Sequence, residues 1–205
     1  MKGADYNNCI EKAVDVLAKG GIILVPTDTV WGLMCDCENI DAIDSIFKMK
    51  KSKIKPLAVL CDSLECIENL DVELSTDAKA IIDAFWPGML TIILKSRSDR
   101  FRYVMGSKKS IGVRIPNSQE LTGLIRQYGK PLAATSANIS GWSPPRTIED
   151  IPDYIQSKVD YICRFNINPS GNASTVINCV SGEVKLIREG IIKFKNILQI
   201  TGNHD

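Results

Sequence analysis

Short apolar runs that alternate with segments of helical periodicity limit the fold of this chain more than any other feature of its sequence. The runs are bounded by Gly, Pro or polar residues, which is typical of buried strands, and the helical segments carry apolar residues three or four positions apart. This alternation predicts an α/β domain. The predicted strands lie at 22–26, 57–61, 90–95, 111–115 and 131–135; the predicted helices lie at 8–18, 40–50 and 118–128, with a fourth between a cap at Ser75 or Thr76 and a stop at Pro87-Gly88.

Residues 175–189 predict that the sheet is mixed. TVINC and EVKLIRE are two β-prone runs separated by Val180-Ser181-Gly182, a pattern that favours an antiparallel hairpin. With about 150 residues per domain as a guide, we expect a single domain over 1–205. Its motif-bearing core would cover about 7–190, and a C-terminal helix or tail about 191–205.

The histidine and charge content exclude several classes of function. The only histidine is His204, next to the C-terminal residue, so a Ser–His or Cys–His catalytic pair and a histidine metal site are not expected. The net charge is +1, which excludes a strongly basic body. Any contact with nucleic acid must therefore come from a local patch.

Cysteine usage and hydropathy indicate the compartment. The chain has seven cysteines and no C-x-x-C pair, which favours free, buried thiols in a reducing compartment. We see no apolar signal-peptide region at the N-terminus and no apolar run near the ~18 residues that span a membrane. We therefore expect a cytoplasmic protein with no membrane partner.

Two segments beside predicted strands have both a structural and a functional interpretation. PTDTVWGL (26–33) places two Thr and one Asp directly after a strand, where they form either a ligand contact or a simple turn. Five lysines lie between 48 and 55. They form either a phosphate clamp or a solvated helix C-terminus that the helix dipole favours.

Several other segments predict one shared polar cleft. Arg114 lies in an apolar strand pattern and needs a carboxylate or a ligand anion as its partner. Residues 131–141 combine small side chains with Ser and Asn in the manner of a phosphate or nucleotide cradle, although the chain has neither a Walker A nor a GxGxxG motif. Residues 170–178 and 187–190 add further hydroxyl and guanidinium groups at strand ends, which favours an anionic ligand.

Six motifs together resemble one known family. PTDTVWGL, the lysine-rich segment ending in KPL, GVRIP, SANISG, STVIN and IREG occur in the order seen in the YrdC family, between about residues 20 and 190. The chain resembles the L-threonylcarbamoyladenylate synthases of that family, in their short single-domain bacterial form. The resemblance implies a twisted mixed parallel and antiparallel sheet, flanked by helices, with a central polar cleft.

The resemblance also implies a reaction and a set of partners. ATP with Mg²⁺, bicarbonate or CO₂, and L-threonine would give threonylcarbamoyl-AMP, pyrophosphate and water. The product would serve the N6-threonylcarbamoyladenosine modification of tRNA position 37, through downstream transferase proteins. Such a reaction needs no catalytic histidine.

The site residues implied by the resemblance fall into three overlapping groups. Lys50, Lys51 and Arg114 are expected to be catalytic. L-Threonine is expected to contact Thr29, Arg114 and Ser174. ATP is expected to contact Lys50, Lys51, Lys55, Ser110, Ser136, Asn138 and Arg188, and no residue is assigned to a metal.

The chain departs from the family pattern at three places, and two alternative functions stay open. The family usually has Tyr at Trp31, an Arg within the lysine-rich motif, which is one residue short here, and often His at Leu60. The main alternative is a non-catalytic module of the same fold that binds tRNA or double-stranded RNA. The other is a relative of the YrdC-like module of hydrogenase-maturation carbamoyltransferases, which are much longer and carry zinc-finger cysteine pairs.

Overall fold

The computed structural model describes residues 3–52 and 56–201. Within these ranges the chain forms seven α-helices, ten strands and one short 3₁₀ helix, Ser107–Lys109. The helices are α1 Gly3–Ala18, α2 Ile40–Met49, α3 Leu64–Glu68, α4 Thr76–Phe85, α5 Gln119–Tyr128, α6 Asp153–Gln156 and α7 Phe194–Thr201. The strands are β1 Ile23–Pro26, β2 Trp31–Asp36, β3 Ala58–Leu60, β4 Val72–Glu73, β5 Leu90–Ser96, β6 Ser110–Arg114, β7 Leu132–Ser136, β8 Tyr161–Ile162, β9 Thr175–Asn178 and β10 Lys185–Arg188.

The described strands form one mixed sheet, which confirms the predicted fold class. Their order is β10-β9-β5-β6-β3-β7-β2-β1-β8, with β4 paired to β5 at the side. The pairs β1–β8, β3–β6 and β5–β9 are parallel and the others are antiparallel. The predicted hairpin is also confirmed, because β9 and β10 pair antiparallel.

Helix ends follow local capping chemistry. The side chains of Asn39, Ser75 and Ser118 accept hydrogen bonds from backbone amides of the first turns of α2, α4 and α5, and each bond satisfies an amide that the helix leaves unpaired. Gly129 ends α5 in the left-handed conformation, at φ 78°. No helix within 3–52 and 56–201 is long and apolar enough to cross a membrane.

The two faces of the sheet are covered unequally. One face packs continuously against α2, α4 and α7. On the other face, α1 and α5 cover residues of β1, β2, β7 and the end of β3 only, such as Val25, Met34, Leu132 and Leu60. The faces of β5, β6 and β9 on this side are therefore left open beside the α1/α5 layer.

The strand β2 was missed by the sequence prediction. The chain does leave the sheet after Pro26, but it returns at Trp31 and pairs antiparallel with β1. The β2 sequence, WGLMCD, lacks β-branched residues and polar alternation, yet it is buried at every position. Its place between β1 and β7 overrides its weak strand propensity.

We predict that Gly190→Ala destabilises the fold by about 1–3 kcal/mol, the range for overpacking. A methyl group there would lie 2.1 Å from the Ala173 carbonyl oxygen and 2.7 Å from the Thr175 nitrogen, and backbone atoms cannot rotate away. Urea unfolding measures the change. Gly123→Ala in α5 is the control, because its methyl group would meet only the Tyr6 hydroxyl at 2.8 Å and Ile10 Cδ1 at 3.8 Å. Equal losses in both variants would contradict this account.

Candidate active site

A cavity of about 300 Å³ lies on the open part of the sheet face. Side chains alternate between the faces of a strand, so the side chains of Ser110 and Arg114 of β6 face the cavity with the bare backbone of Gly112 between them, while Ile111 and Val113 pack on the opposite face. The described residues that line the cavity are Thr27, Thr29, Val30, Gly32, Met34, Pro56, Leu57, Ala58, Leu60, Thr91, Ile93, Ser110, Gly112, Arg114, Ala134, Thr135, Ser136, Pro144, Ala173, Ser174, Val176 and Arg188.

The floor of the cavity is an apolar row that crosses five strands. In register, Met34 pairs with Ala134, Ala134 with Ala58, Ala58 with Gly112, and Gly112 with Ile93. The three central residues are small, so the space above the sheet between Met34 and Ile93 is not filled by side chains. The expected polar cleft is therefore polar at its rim and apolar at its floor.

Arg114 lies at one end of the cavity and is held by three contacts. Its Nε donates to the Gly88 carbonyl at 2.8 Å, one terminal nitrogen donates to Thr29 Oγ1 at 3.1 Å, and the other donates to the Asp28 carboxylate. Asp28 also accepts from the Asn117 amide at 3.1 Å. The guanidinium has five N–H donors, so two remain for a ligand. The expectation of a carboxylate partner for Arg114 is therefore confirmed, and because the side chain also lines the cavity, a ligand contact remains compatible with that ion pair.

The turn between β1 and β2 presents Thr29 to Arg114. The Thr27 hydroxyl accepts from the amides of Thr29 and Val30, both at 3.1 Å, and lies 2.8 Å from Thr29 Oγ1. These bonds rigidify the turn and fix the Thr29 hydroxyl. The turn and the ligand-contact interpretations of PTDTV are thus compatible.

A second cation faces the cavity from β10. The Arg188 guanidinium donates to the Ser174 carbonyl at 2.9 Å and to Ser174 Oγ at 3.3 Å, and Ser174 Oγ lies 2.9 Å from Thr91 Oγ1. Burial, and then the charge of Arg114, lower the pKa of Arg188 below its usual value. Among the described lining residues there is no carboxylate. The charge of Arg114 is balanced by Asp28 from outside the lining, so the positive potential that attracts anions comes mainly from Arg188.

Lys50 organises the loop 136–142 at the rim. Its ammonium donates to the Ser136 carbonyl, to the Asn138 carbonyl at 2.9 Å and to Asn138 Oδ1 at 3.3 Å. Asn138 Nδ2 in turn donates to the Trp142 carbonyl at 2.6 Å. Burial lowers the pKa of Lys50 to about 8, since no carboxylate is among these partners. Lys50 therefore holds the loop that carries Ser136.

Comparison with known proteins identifies the family. The Sua5/YciO/YrdC family model, whose description is "Telomere recombination", matches residues 15–190. The chain belongs to this family.

Individual relatives differ in length from this chain. Threonylcarbamoyl-AMP synthase of Bacillus subtilis is 30% identical over 195 residues, which are 94% of this chain and 56% of that protein. Threonylcarbamoyl-AMP synthase of Blochmanniella pennsylvanica is 32% identical over 176 residues, 84% and 89% of the two chains. The crystal structure of P. abyssi Sua5 complexed with L-threonine has a TM-score of 0.87 at 29% identity and covers 94% of this chain and 57% of its own. The chain thus spans a little more than half the length of the B. subtilis and P. abyssi relatives.

The structure brings together most of the residues that the YrdC resemblance implied. Thr29, Ser110, Arg114, Ser136, Ser174 and Arg188 line the same cavity. Neither Lys50 nor Asn138 is among the described lining residues. Asn138 belongs to the rim loop, and Lys50, at the end of α2, bonds to it. The Lys51 ammonium lies 5.4 Å from the centre of the Tyr154 ring, away from the lining, and Lys55 lies outside the described residues, as does His204.

Two family-pattern positions are clarified by the fold. Trp31 packs in the core on the face opposite the cavity, so the usual Tyr at this position would also lie outside the cavity. Its backbone supports the rim instead, since the Trp31 amide donates to the Pro145 carbonyl at 3.0 Å and its carbonyl accepts from Ala137 at 2.9 Å. Leu60, by contrast, lines the cavity.

Sequence reasoning placed Asp28 at a strand end but did not identify it as the partner of Arg114, and it missed Thr91 as a site residue. The need of Arg114 for a carboxylate was evident from the sequence, but the choice of Asp28, 86 positions away, follows from the way the β1–β2 turn lies beside β6. Thr91 sits in an apolar strand and gave no signal beyond its hydroxyl.

We predict that Asp28→Asn lowers the free energy of unfolding by about 3 kcal/mol, because it leaves the buried Arg114 without its anion. The side chains of this pair are 6% and 7% exposed. Urea unfolding measures the change, with Asp99→Asn as the control. The side chains of Asp99 and its partner Lys109 are 65% and 53% exposed, so the control should lose less than about 1 kcal/mol. Similar losses in the two variants would argue against a critical Arg114 pair.

The pKa of Lys50 predicts a pH-dependent stability. In the unfolded chain this ammonium keeps its proton up to its ordinary pKa of 10.5, whereas the folded chain releases it near pH 8. Between these values the unfolded state binds more protons, so Lys50 makes stability rise with pH, by at most about 1.4 kcal/mol per pH unit. Lys50→Met should remove this rise in urea unfolding between pH 7.5 and 10. The exposed Lys158→Met should keep the wild-type slope, and an unchanged slope in Lys50→Met would disprove the assignment.

Proposed function

We propose that this family member is an L-threonylcarbamoyladenylate synthase, which forms threonylcarbamoyl-AMP, pyrophosphate and water from L-threonine, bicarbonate and ATP. The observation that carries the proposal is Arg114, which keeps two N–H donors for a ligand next to the hydroxyl of Thr29 and faces a second arginine. Relatives named threonylcarbamoyl-AMP synthase and the threonine complex of P. abyssi Sua5 support it.

The amino-acid end of the site would be built around Arg114. Its two remaining N–H groups suit the two oxygens of a carboxylate, since a guanidinium is planar and forks its donors. The hydroxyls of Thr29 and Ser174 lie beside the two arginines and can exchange hydrogen bonds with a bound amino acid.

The nucleotide would extend toward Ser110 and Ser136. Ser110 and Arg114 are four residues apart on β6, or about 13 Å at 3.3 Å per strand residue. An amino acid alone cannot span that length, whereas an amino acid joined through a carbamate to a nucleotide can. Arg188 would contact phosphate, and Lys55 directly precedes Pro56 of the cavity lining. Lys55 is proposed as a phosphate contact, and so is Lys51, whose ammonium would leave the Tyr154 ring to reach the triphosphate. Lys50 and Asn138 act through the rim loop.

The chemistry would rest on positioning and charge. Bicarbonate takes up a proton and loses water to give CO₂. The threonine amine must lose its proton before it attacks CO₂, and the nearby cationic arginines favour the neutral amine. A carbamate oxygen then attacks the α-phosphorus of ATP, the bond to pyrophosphate breaks, and the cationic rim stabilises the charge that develops on the leaving group. The apolar floor excludes water that would hydrolyse the mixed anhydride.

Magnesium would enter with the triphosphate. Mg²⁺ prefers carboxylate and water oxygens, and the described cavity lining offers hydroxyls and guanidinium groups instead. We therefore expect the phosphate oxygens and water to hold the ion, with the Ser110 and Ser136 hydroxyls as neutral oxygens nearby.

The reaction implies a cytoplasmic location and downstream partners. The product is a reactive anhydride, so proteins that transfer the threonylcarbamoyl group to tRNA must receive it. We propose such transferases as partners, with direct tRNA contact limited to a local basic patch.

The decisive experiment measures pyrophosphate release from ATP, Mg²⁺ and bicarbonate with and without L-threonine. We expect release to depend on threonine, and Arg114→Ala to lower kcat/KM at least about 30-fold, as for loss of one partner of a buried charge pair. Lys50→Ala should also reduce the rate through the rim loop.

The exposed Arg126→Ala is the matched arginine control and should keep wild-type activity. No release from a chain that still binds ATP would overturn the proposal and favour the non-catalytic RNA-binding alternative. Full activity in both Arg114→Ala and Lys50→Ala would overturn the placement of the site.

A further inference from the structure

We propose that Leu60 is a specificity-determining residue that contacts the side-chain methyl group of the amino-acid substrate and so favours threonine over serine. The proposal rests on the proposed function, because it concerns the amino-acid end of the same cavity. Threonine and serine have the same hydrogen-bonding groups, so the polar groups of the site cannot distinguish them. An apolar side chain that contacts the methyl group of threonine can.

Register places Leu60 beside Arg114. The two residues are direct partners in the parallel pair of β3 and β6, so their side chains leave the same face of the sheet on strands about 4.8 Å apart. Both line the cavity. An amino acid whose carboxylate binds the Arg114 side chain therefore has its β-carbon within reach of the neighbouring strand.

The wall that Leu60 forms is apolar and held in place. Leu60, Met34 and Ala134 belong to the cluster packed beneath α1 and α5, and all three also line the cavity. Leu60 is 4% exposed. Such a packed side chain keeps its rotamer, accepts a methyl group by dispersion contact and offers no hydrogen bond to a polar one.

The expected size of the effect follows from the methyl group that distinguishes the two substrates. One methylene in a hydrophobic pocket is worth about 10- to 200-fold in kcat/KM between substrates. If Leu60 supplies much of that contact, truncating it should reduce the threonine-to-serine ratio of kcat/KM at least about fivefold. The loss should fall on threonine, because serine has no methyl group to lose contact.

The test compares Leu60→Ala with Leu132→Ala in the pyrophosphate-release assay, with L-threonine and L-serine. Leu132 is the direct partner of Leu60 on β7 and belongs to the same buried cluster, but it is absent from the described cavity lining. Its truncation reproduces the packing defect without changing the wall. We expect the ratio to fall at least about fivefold in Leu60→Ala and to stay within twofold of wild type in Leu132→Ala.

Three results would overturn the proposal. They are an unchanged ratio in folded Leu60→Ala, an equal fall in both variants, and wild-type protein that shows no threonine-dependent release. The last result also removes the proposed function, whereas the first two leave it standing. If Leu60→Ala does not fold, Leu60→Val keeps strand propensity while removing one methylene, and it must lower the ratio about twofold.

Discussion

The buried guanidinium of Arg114 is the constraint on which the site depends. A charge placed on the face of a central strand must be paired, and here the pairing reaches two separate segments, the β1–β2 turn through Asp28 and Thr29 and the segment just before β5 through Gly88. The same residue is thereby fixed in orientation and left with two free donors. Stability and ligand binding thus use the same contacts, and the loop after β1 is part of the site because Arg114 holds it there.

The cavity exists because the helical layer on this face is incomplete. The helices α1 and α5 cover the sheet as far as Leu60 and Met34, and the small residues Ala58, Gly112 and Ala134 leave the adjoining floor low. Larger side chains at these positions would fill the space, as Ile111 and Val113 do on the opposite face. The open half of the sheet is therefore a consequence of both residue size and helix placement.

Lysines that are close together in the lysine-rich segment differ in burial and therefore in what they contact. Sequence spacing favoured either a phosphate clamp or a solvated helix end. Lys50 is instead buried, with its ammonium bonded to carbonyl oxygens of the loop 136–142, while Lys51 lies against the Tyr154 ring. Neighbouring lysines in one run thus have different environments, because the chain turns sharply after α2, with Lys51 at φ 49°.

The sequence by itself determined the α/β class, most element positions, the cap at Ser75 or Thr76 and the terminal hairpin, since these follow from periodicity and short-range hydrogen bonding. The sequence also identified Thr29, Arg114, Ser174 and Arg188 as candidate site residues. Hydroxyl and guanidinium groups beside apolar strands lose solvation on burial unless they bind a partner or a ligand, so their positions were informative. The sequence could not give β2, whose strand conformation comes from burial between its neighbours. Only the tertiary structure decided that Asp28 pairs with Arg114, that Lys50 supports the rim and that Leu60 forms a wall, because each depends on which distant strands become adjacent.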